Sequence, residues 1–126
     1  MPCGRRGIVY FLMRDECIFC KIISGEIAAQ IIYEDQNIIA IPDMSPVAPV
    51  HILVIPKQHL GRLGTLTETE IGLAGDCFKA IPLVAEGEES LNQGYRVVLN
   101  QGKDSGQEIE HLHLHLLAGR SLKGMG

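Results

Sequence analysis

The sequence predicts an α+β fold, in which a mainly antiparallel five-stranded sheet is accompanied by one long and one short helix. Two observations lead to this prediction. Short apolar segments follow one another with connections too short for crossover helices, which favours antiparallel pairing. A capping signal followed by apolar residues at helical spacing indicates one long helix between the third and fourth strands. The length of 126 residues fits one domain with a single core.

The first part of the chain supplies the short helix and three strands. Residues 17–24 carry apolar side chains at the spacing of a short helix. Strands are predicted at 31–33 and 38–41, joined by the turn-forming Asp35-Gln36-Asn37. A third strand is predicted at 50–55, where apolar residues run up to a proline.

The long helix has a clear start signal. Thr65 and Thr67 each precede a glutamate by three residues, which makes two overlapping capping-box patterns. The apolar residues that follow at helical spacing are Ile71, Ala74, Phe78, Ile81 and Ala85. Pro82 predicts a kink or a division of this helix, since proline removes one backbone donor and clashes with the preceding turn.

The last two predicted strands, 95–99 and 111–117, flank a glycine-rich loop. Because strand side chains alternate between faces, one face of the last strand carries three histidines and the other carries leucines that point to the core. The histidines are His111, His113 and His115. A solvated face that happens to carry histidines is the alternative, but three in register are hard to obtain by accident. We therefore predict a functional histidine cluster.

The glycine-rich loop, 100–107, indicates an anion site next to these histidines. Its glycines, with Ser105 between Gly102 and Gly106, can turn successive backbone N–H groups toward an anion. The loop alone is weak evidence, because such loops are common in hairpins. Beside three imidazoles, which are nucleophilic when neutral, it predicts a phosphate cradle next to a nucleophile.

Composition and charge exclude several classes of function. The net charge of −4 argues against a general nucleic-acid binder, and no apolar run of 18 residues predicts a membrane span. Four cysteines without a convincing secretory signal indicate reduced thiols and a cytoplasmic location. We expect residues 1–14 to form a disordered extension and residues 15–126 to form one domain.

These segments closely resemble the histidine-triad (HIT) family, and within it the Hint-like branch of purine nucleoside phosphoramidases. The resemblance runs from about residue 17 to residue 120. It rests on His-Leu-His-Leu-His-Leu-Leu at 111–117, on the segment 43–59 and on the loop 100–107. The third histidine, His115, makes activity of the related transferase branch less expected, because that branch carries glutamine there.

The resemblance implies an enzyme that cleaves phosphoramidates of AMP-like purine nucleotides, needs no cofactor for catalysis and forms a homodimer. His113 would be the nucleophile and form a nucleotidyl-histidine that water hydrolyses. His115 would hydrogen-bond the phosphate or leaving group, and His51 would complete the cluster. The implied nucleotide contacts are Phe19, Ile22 and Met44 for the base, Asp43 for the ribose, and Asn100, Gly106 and Gln107 for the phosphate.

Cys17 and Cys20 have the spacing of half a tetrahedral zinc site. The resemblance implies the other half, because some relatives with these cysteines bind zinc through two further histidines, which are His59 and His111 in this chain. Such a site would be closed and structural. The alternative is that both cysteines are small buried apolar groups.

Two features depart from the Hint-like pattern. Glu108, which we place among the nucleotide-binding residues, stands where relatives often carry a hydroxyl group. Its carboxylate could repel phosphate, protonate a leaving amine or simply face solvent. The chain also ends without the tryptophan-containing tail of many relatives, which leaves the leaving-group preference open.

Three other functions compete with the phosphoramidase. One is a nucleotide-binding interaction module with little turnover. Another is a dinucleotide polyphosphate hydrolase. The last is a metal-dependent hydrolase that holds zinc on the three histidines, because His-x-His on a strand can chelate a metal.

Overall fold

The computed structural model describes residues 16–125 and arranges them around one five-stranded sheet. The strands lie in the order β1-β2-β3-β5-β4, and every neighbouring pair is antiparallel. Their bounds are Tyr33–Glu34, Ile38–Pro42, Val50–Pro56, Arg96–Val98 and Leu114–Ala118 for β1 to β5. A short helix α1, Ile18–Ile23, and a long helix α2, Glu68–Glu86, complete the fold. The predicted fold class is confirmed. The predicted extension, residues 1–14, lies outside the described residues.

The two faces of the sheet carry separate apolar clusters, because successive strand residues point to opposite sides. On one face, α2 packs against a cluster that includes Ile52, Val54, Leu114 and Leu116. On the other face, α1 contributes Phe19 and both cysteines to a cluster with Ile39, Ile41, Leu53 and Ile55. The face covered by α1 is also the face of His115, since His115 lies opposite Leu53 in the register of β3 and β5.

Helix α2 starts at the second of the two predicted capping boxes. The Thr67 hydroxyl accepts from the Glu70 backbone N–H, and the Glu70 carboxylate accepts from the Thr67 backbone N–H. The helix is continuous through Pro82, so the predicted division does not occur. Pro82 lies on the exposed side of the helix. Water can therefore satisfy the carbonyl that a proline leaves without its helical donor.

The apolar residues that indicated α2 in the sequence are only partly the ones it buries. The buried residues are Cys77, Ala80, Ile81 and Val84, which follow helical spacing along one line. Ile71 and Phe78, two of the residues that indicated the helix, are 47% and 55% exposed. The sequence offers apolar residues on both sides of this helix, and periodicity alone does not tell which line faces the sheet.

The predicted strand ends also shift. The first strand forms at Tyr33–Glu34 and not at 31–33, and the fourth covers Arg96–Val98 within the predicted 95–99. The last strand begins at Leu114 and not at residue 111. The residues just before it form a hydrogen bond with the loop after β3 instead, in which the Leu112 N–H donates to the Leu60 carbonyl at 2.8 Å.

No helix within residues 16–125 is both long enough and apolar enough to cross a bilayer.

Candidate active site

Three histidines lie side by side on the α1 face of the sheet. His115 belongs to β5, His113 directly precedes that strand, and His51 belongs to the neighbouring β3. The ring centroids of His113 and His115 are 5.0 Å apart, and those of His115 and His51 are 5.2 Å apart. The first histidine of the motif, His111, turns toward the two cysteines of α1 instead. The motif thus divides between two adjoining clusters.

The hydrogen bond of His113 fixes its tautomer. Nδ1 lies 2.7 Å from the main-chain carbonyl oxygen of His111, which can only accept, so Nδ1 carries the proton. Nε2 is then left with a lone pair. The Phe19 ring packs edge-on against the imidazole at 5.0 Å, and the side chain is 7% exposed. Burial lowers the pKa of His113, which keeps the ring neutral and nucleophilic at neutral pH.

His51 and His115 form a second, ordered pair. The Val47 backbone N–H donates to Nδ1 of His51 at 3.1 Å, so the proton of a neutral His51 ring is on Nε2. That nitrogen lies 2.9 Å from Nδ1 of His115, which must accept. The proton of His115 is therefore on Nε2, where it can be donated to a ligand. Burial, reinforced by the neighbouring imidazoles, lowers the pKa of His115 to about 4. Burial also lowers the pKa of His51.

Asp43 lies at the edge of this pair. One carboxylate oxygen accepts from the Ser45 backbone N–H at 2.7 Å, and the other lies 3.4 Å from Nε2 of His51. The Asp43 N–H donates to the His51 carbonyl at 2.9 Å, which ties the loop to β3. Its side chain is 20% exposed, so the carboxylate can still accept a hydrogen bond from a ligand hydroxyl group.

The predicted apolar wall is only partly assembled. Phe19 is buried, and Ile22 packs beside it in the α1-side cluster. Met44 is 92% exposed and so is not packed with them. A methionine side chain is flexible, which makes this position adaptable but not preformed.

The glycine-rich loop differs from the predicted phosphate cradle. The backbone N–H groups of Gly102, Ser105, Gly106 and Gln107 all donate to acceptors within the loop itself. The Gln107 amide is also engaged, since it accepts from Gly102 and donates to the Ile109 carbonyl at 3.1 Å. These groups hold the shape of the loop and are not turned toward an anion in this conformation.

Asn100 is better placed for a phosphate. Strand β4 ends at Val98, opposite His115, and two further residues carry the chain to Asn100. Because β4 and β5 are antiparallel, two residues beyond Val98 correspond to two residues before His115, so this register brings Asn100 next to His113. Asn100 is half-buried at this end of the sheet, and its amide offers two donors.

The second cluster brings together all four predicted metal ligands. Their ligand atoms lie within 4.8 Å of one another, and the residues are Cys17, Cys20, His59 and His111. Nδ1 of His111 lies 3.3 Å from Sγ of Cys17 and 3.5 Å from Sγ of Cys20. Nδ1 of His59 lies 3.3 Å from Sγ of Cys20. Tetrahedral zinc separates a sulfur from a nitrogen ligand by about 3.6 Å, which these distances approach.

The protonation states also suit a metal. The Nε2–H of His111 donates to the Pro56 carbonyl at 2.7 Å, so its Nδ1 lone pair points at the sulfurs. A hydrogen bond from Cys20 lowers the pKa of Cys17 to about 2, with further contributions from His111 and His59 and against the effect of burial. The thiolate is the form of cysteine that binds metals.

A second group of potential metal ligands is less suitable. Asp43, His51 and His115 also place their ligand atoms within 4.8 Å of one another. A metal on Nε2 of His51 would require the ring proton on Nδ1, which already accepts from the Val47 N–H. The hydrogen bond thus opposes a metal ion bound by Asp43, His51 and His115. The division of the histidine motif also argues against zinc held by His111, His113 and His115 together.

Glu108 lies beside the cluster of Cys17, Cys20, His59 and His111, called the Cys/His cluster below. It is exposed and lines a cleft of about 290 Å³ with Cys17, His59 and His111, whereas neither His113 nor His115 lines this cleft. Of the alternatives considered for Glu108, the structure therefore favours the one in which the carboxylate faces solvent.

Sequence reasoning missed the groups that orient the histidines. They are the main-chain carbonyls of His111 and Pro56 and the backbone N–H of Val47. Main-chain groups carry no signature in the sequence. It also missed Arg120, whose guanidinium donates to the Val47 carbonyl at 3.1 Å and so fixes the loop that holds His51.

Comparisons with known proteins agree on one family. A family model described as the HIT domain matches residues 24–122. A HIT-like protein from Synechococcus elongatus is 47% identical over 110 residues, which is 87% of this chain and 96% of the relative. Protein HitA from Neisseria gonorrhoeae is 40% identical and covers 82% of this chain and 95% of its own. A HIT family hydrolase from Clostridium thermocellum has a TM-score of 0.82 and 41% identity, and the match covers 88% of this chain and 96% of that one.

Proposed function

The chain belongs to the HIT domain family, and from this membership we propose that it hydrolyses purine nucleoside phosphoramidates through a nucleotidyl-histidine on His113. The related hydrolase supports an enzyme of the hydrolase type. One observation carries the finer proposal. The Nδ1–H of His113 is held by the His111 carbonyl at 2.7 Å, which leaves Nε2 free to attack phosphorus next to the Nε2–H of His115.

The reaction proceeds in two displacements. Nε2 of His113 attacks the α-phosphorus, and the bond from phosphorus to the amine nitrogen breaks. The Nε2 proton of His115 passes to that nitrogen, so a neutral amine leaves. Water then attacks phosphorus, its proton returns to His115, and the bond to His113 breaks with release of the nucleotide. The proton that His115 gives up is replaced by one from the attacking water, so His115 stays neutral, and the centroid of the phosphorylated, cationic His113 ring lies 5.0 Å from that of His115.

His51 acts on His115. Its Nε2–H donates to Nδ1 of His115 at 2.9 Å, which draws electron density from the ring and makes Nε2–H a better proton donor. This pair is therefore suited to the departure of an amine, a poor leaving group that needs a proton.

The remaining groups bind the nucleotide. We assign the ribose hydroxyls to the Asp43 carboxylate and the base to Phe19 and Ile22, with Met44 folding over it. Asn100 donates to the phosphate, while Gly106 and Gln107 preserve the loop beside it. Glu108 faces the other cleft and is not given a phosphate contact in this proposal.

We also propose a structural zinc ion on Cys17, Cys20, His59 and His111. The sulfur-to-nitrogen distances of 3.3 to 3.5 Å support it, as does the His111 lone pair directed at the sulfurs. The ion would join α1 to the sheet and take no part in the chemistry. The reduced thiols that such a site needs accord with the predicted cytoplasmic location.

A homodimer completes the proposal. Strand β4 is at an edge of the sheet, so one side of its backbone is unpaired in the single chain. Helix α2 exposes Ile71, Phe78 and Leu83 at 47%, 55% and 47%. An exposed edge strand and exposed apolar side chains favour association with a second copy.

The test is turnover of a fluorogenic adenosine phosphoramidate by the wild type, His113→Ala and His113→Gln, with AMP binding measured on all three. We expect the wild type to release AMP and both variants to bind AMP without turnover. A wild type that binds AMP but cleaves no phosphoramidate contradicts the proposal. In that case, turnover of dinucleotide polyphosphates is measured next. Cleavage would indicate a dinucleotide polyphosphate hydrolase, and no cleavage would indicate a nucleotide-binding module.

A further inference from the structure

The Cys/His cluster and the catalytic histidines share one residue, His111. Its side chain is fully buried among the cysteines, with Nδ1 at 3.3 Å from Cys17 and Nε2–H on the Pro56 carbonyl. Its main-chain carbonyl accepts the Nδ1–H of His113 at 2.7 Å. Whatever fixes the His111 ring also fixes the acceptor that sets the tautomer of His113.

Phe19 provides a second link between the two clusters. It lies on α1 between Cys17 and Cys20. Its ring packs edge-on against His111 with centroids 5.7 Å apart and against His113 at 5.0 Å. A displacement of α1 would therefore remove a wall of the His113 ring as well as two of the four ligands.

Helix α1 depends on these contacts for its position. It has only six residues, and helices of that length are not stable by themselves in water. Its N-cap interaction, from the Cys20 N–H to the Cys17 sulfur at 3.4 Å, uses a weak acceptor. The Cys/His cluster ties the start of this helix to His59, in the loop after β3, and to His111 before β5.

We infer that the Cys/His cluster, when it holds a zinc ion, positions the nucleophile His113 through His111 and Phe19. The inference rests on the proposed function of His113. Cys17, Cys20, His59 and His111 are positioning residues here, because none of them is proposed to touch the substrate. Ligation would hold His111 from Nδ1 while the Pro56 carbonyl holds it from Nε2, so the His111 carbonyl that accepts the hydrogen bond from His113 stays in place.

The test compares two cluster variants with a matched control. Cys17→Ser combined with Cys20→Ser removes both sulfurs, and His59→Gln removes one ligand while leaving α1 unchanged. Cys77→Ser is the control, because Cys77 is a fully buried thiol on α2, on the opposite face of the sheet. Zinc content, kcat for the phosphoramidate and the ¹⁵N signals of the imidazoles are measured on each protein.

We expect both cluster variants to lose zinc and to lose about 100-fold in kcat, the usual scale for a reacting group misplaced by about 1 Å. The ¹⁵N signals of His113 should change from a single Nδ1–H tautomer to a mixture. The signals of His115 should stay close to wild type, since His51 and Val47 set its tautomer. Cys77→Ser should keep its zinc, its kcat and the tautomer of His113.

Three results overturn the inference. One is a wild type that binds no zinc when zinc is supplied. Another is a zinc-free variant with the wild-type kcat and a single His113 tautomer. The third is an equal change in His113 and His115, which indicates general loosening. If the double variant does not fold, removal and return of zinc on the wild type must shift the His113 signals and restore them. A wild type without turnover defeats the proposed function, while the ¹⁵N comparison still decides this inference.

Discussion

At the scale of single residues, the proposed mechanism makes His115, and not His113, the residue that determines which leaving groups the site can release. His113 supplies a lone pair to any phosphorus ester or amide, but an amine departs only with a proton. That proton is on Nε2 of His115, because Nδ1 accepts from His51 at 2.9 Å. The two histidines should therefore respond differently to a change of leaving group.

We predict that His115→Ala lowers kcat/KM by about 100-fold or more for an alkylamine leaving group, the usual scale of general acid catalysis. The loss should shrink for an acidic phenol, which leaves without a proton. His113→Ala, the comparison variant, should abolish turnover of both substrates. The measurement is kcat/KM across a leaving-group series, and an equal loss for all members of the series would contradict the role of His115.

The pH profile follows from the lowered pKa of His115. The active form is the neutral ring, whose Nδ1 accepts from His51, and burial lowers its pKa from 6.5 to about 4. Activity is therefore retained as the pH falls through 6.5 and is lost only as it approaches 4. The measurement is kcat/KM between about pH 3.5 and 8. A midpoint near 6.5, typical of a solvated imidazole, would contradict the buried and ordered pair.

At the scale of elements, Gly119 controls how β5 turns past the loop that holds His51. Its φ is +99°, and a Cβ there would lie 2.7 Å from Cβ of Pro49 and 3.3 Å from the backbone nitrogen of Val50. Both the backbone conformation and the close approach require glycine. The next residue toward the site, His51, would move with any shift of this loop.

We expect Gly119→Ala to lower the free energy of unfolding by about 1–2 kcal/mol from the backbone term alone, and to lower kcat through His51. Gly75→Ala is the matched control. Gly75 lies in α2 with nothing within 4 Å of its added Cβ, so this change should stabilise the protein by about 0.5–1 kcal/mol. Thermal and denaturant unfolding of both variants would measure the two changes in the free energy of unfolding. Equal changes in the two variants would contradict the special role of Gly119.

Several elements could be predicted from the sequence because their signals are local. The capping box at Thr67, the turn at Asp35 and the alternation of histidine with leucine each depend on residues a few positions apart. The buried line of α2 could not be predicted, because Phe78 and Cys77 are both apolar and the choice depends on the sheet. The state of the phosphate loop was also missed, since its N–H groups are satisfied internally by Gln107 and Ser105.

The candidate site could likewise be predicted only in part. The sequence identifies which side chains gather, because the family resemblance spans their motifs. It does not give their tautomers, which depend on the main-chain groups of His111, Pro56 and Val47. The separation of His111 from His113 and His115 also requires the fold, since strand alternation alone places all three histidines on one face.

At the scale of the whole molecule, the unpaired β4 edge and the exposed apolar side chains of α2 are the two surfaces that favour association with a second copy. We expect Phe78→Asp to convert the proposed dimer into a monomer, because it places a charge in an apolar contact. Ile31→Asp is the control, since Ile31 is 50% exposed next to β1, at the opposite edge of the sheet. Sedimentation velocity measures both, and a monomeric wild type would refute the proposed dimer.

The most direct test of the central claim is mass spectrometry of the wild type quenched with acid-free denaturant during steady-state turnover of an adenosine phosphoramidate. We predict a peptide that spans residues 111–117 and carries one adenylyl group on His113, absent from unreacted protein and from His113→Ala. The attachment should be labile to acid, as a phosphorus–nitrogen bond is. Turnover without this adduct, or an adduct on another residue, would contradict the account of His113 as the nucleophile.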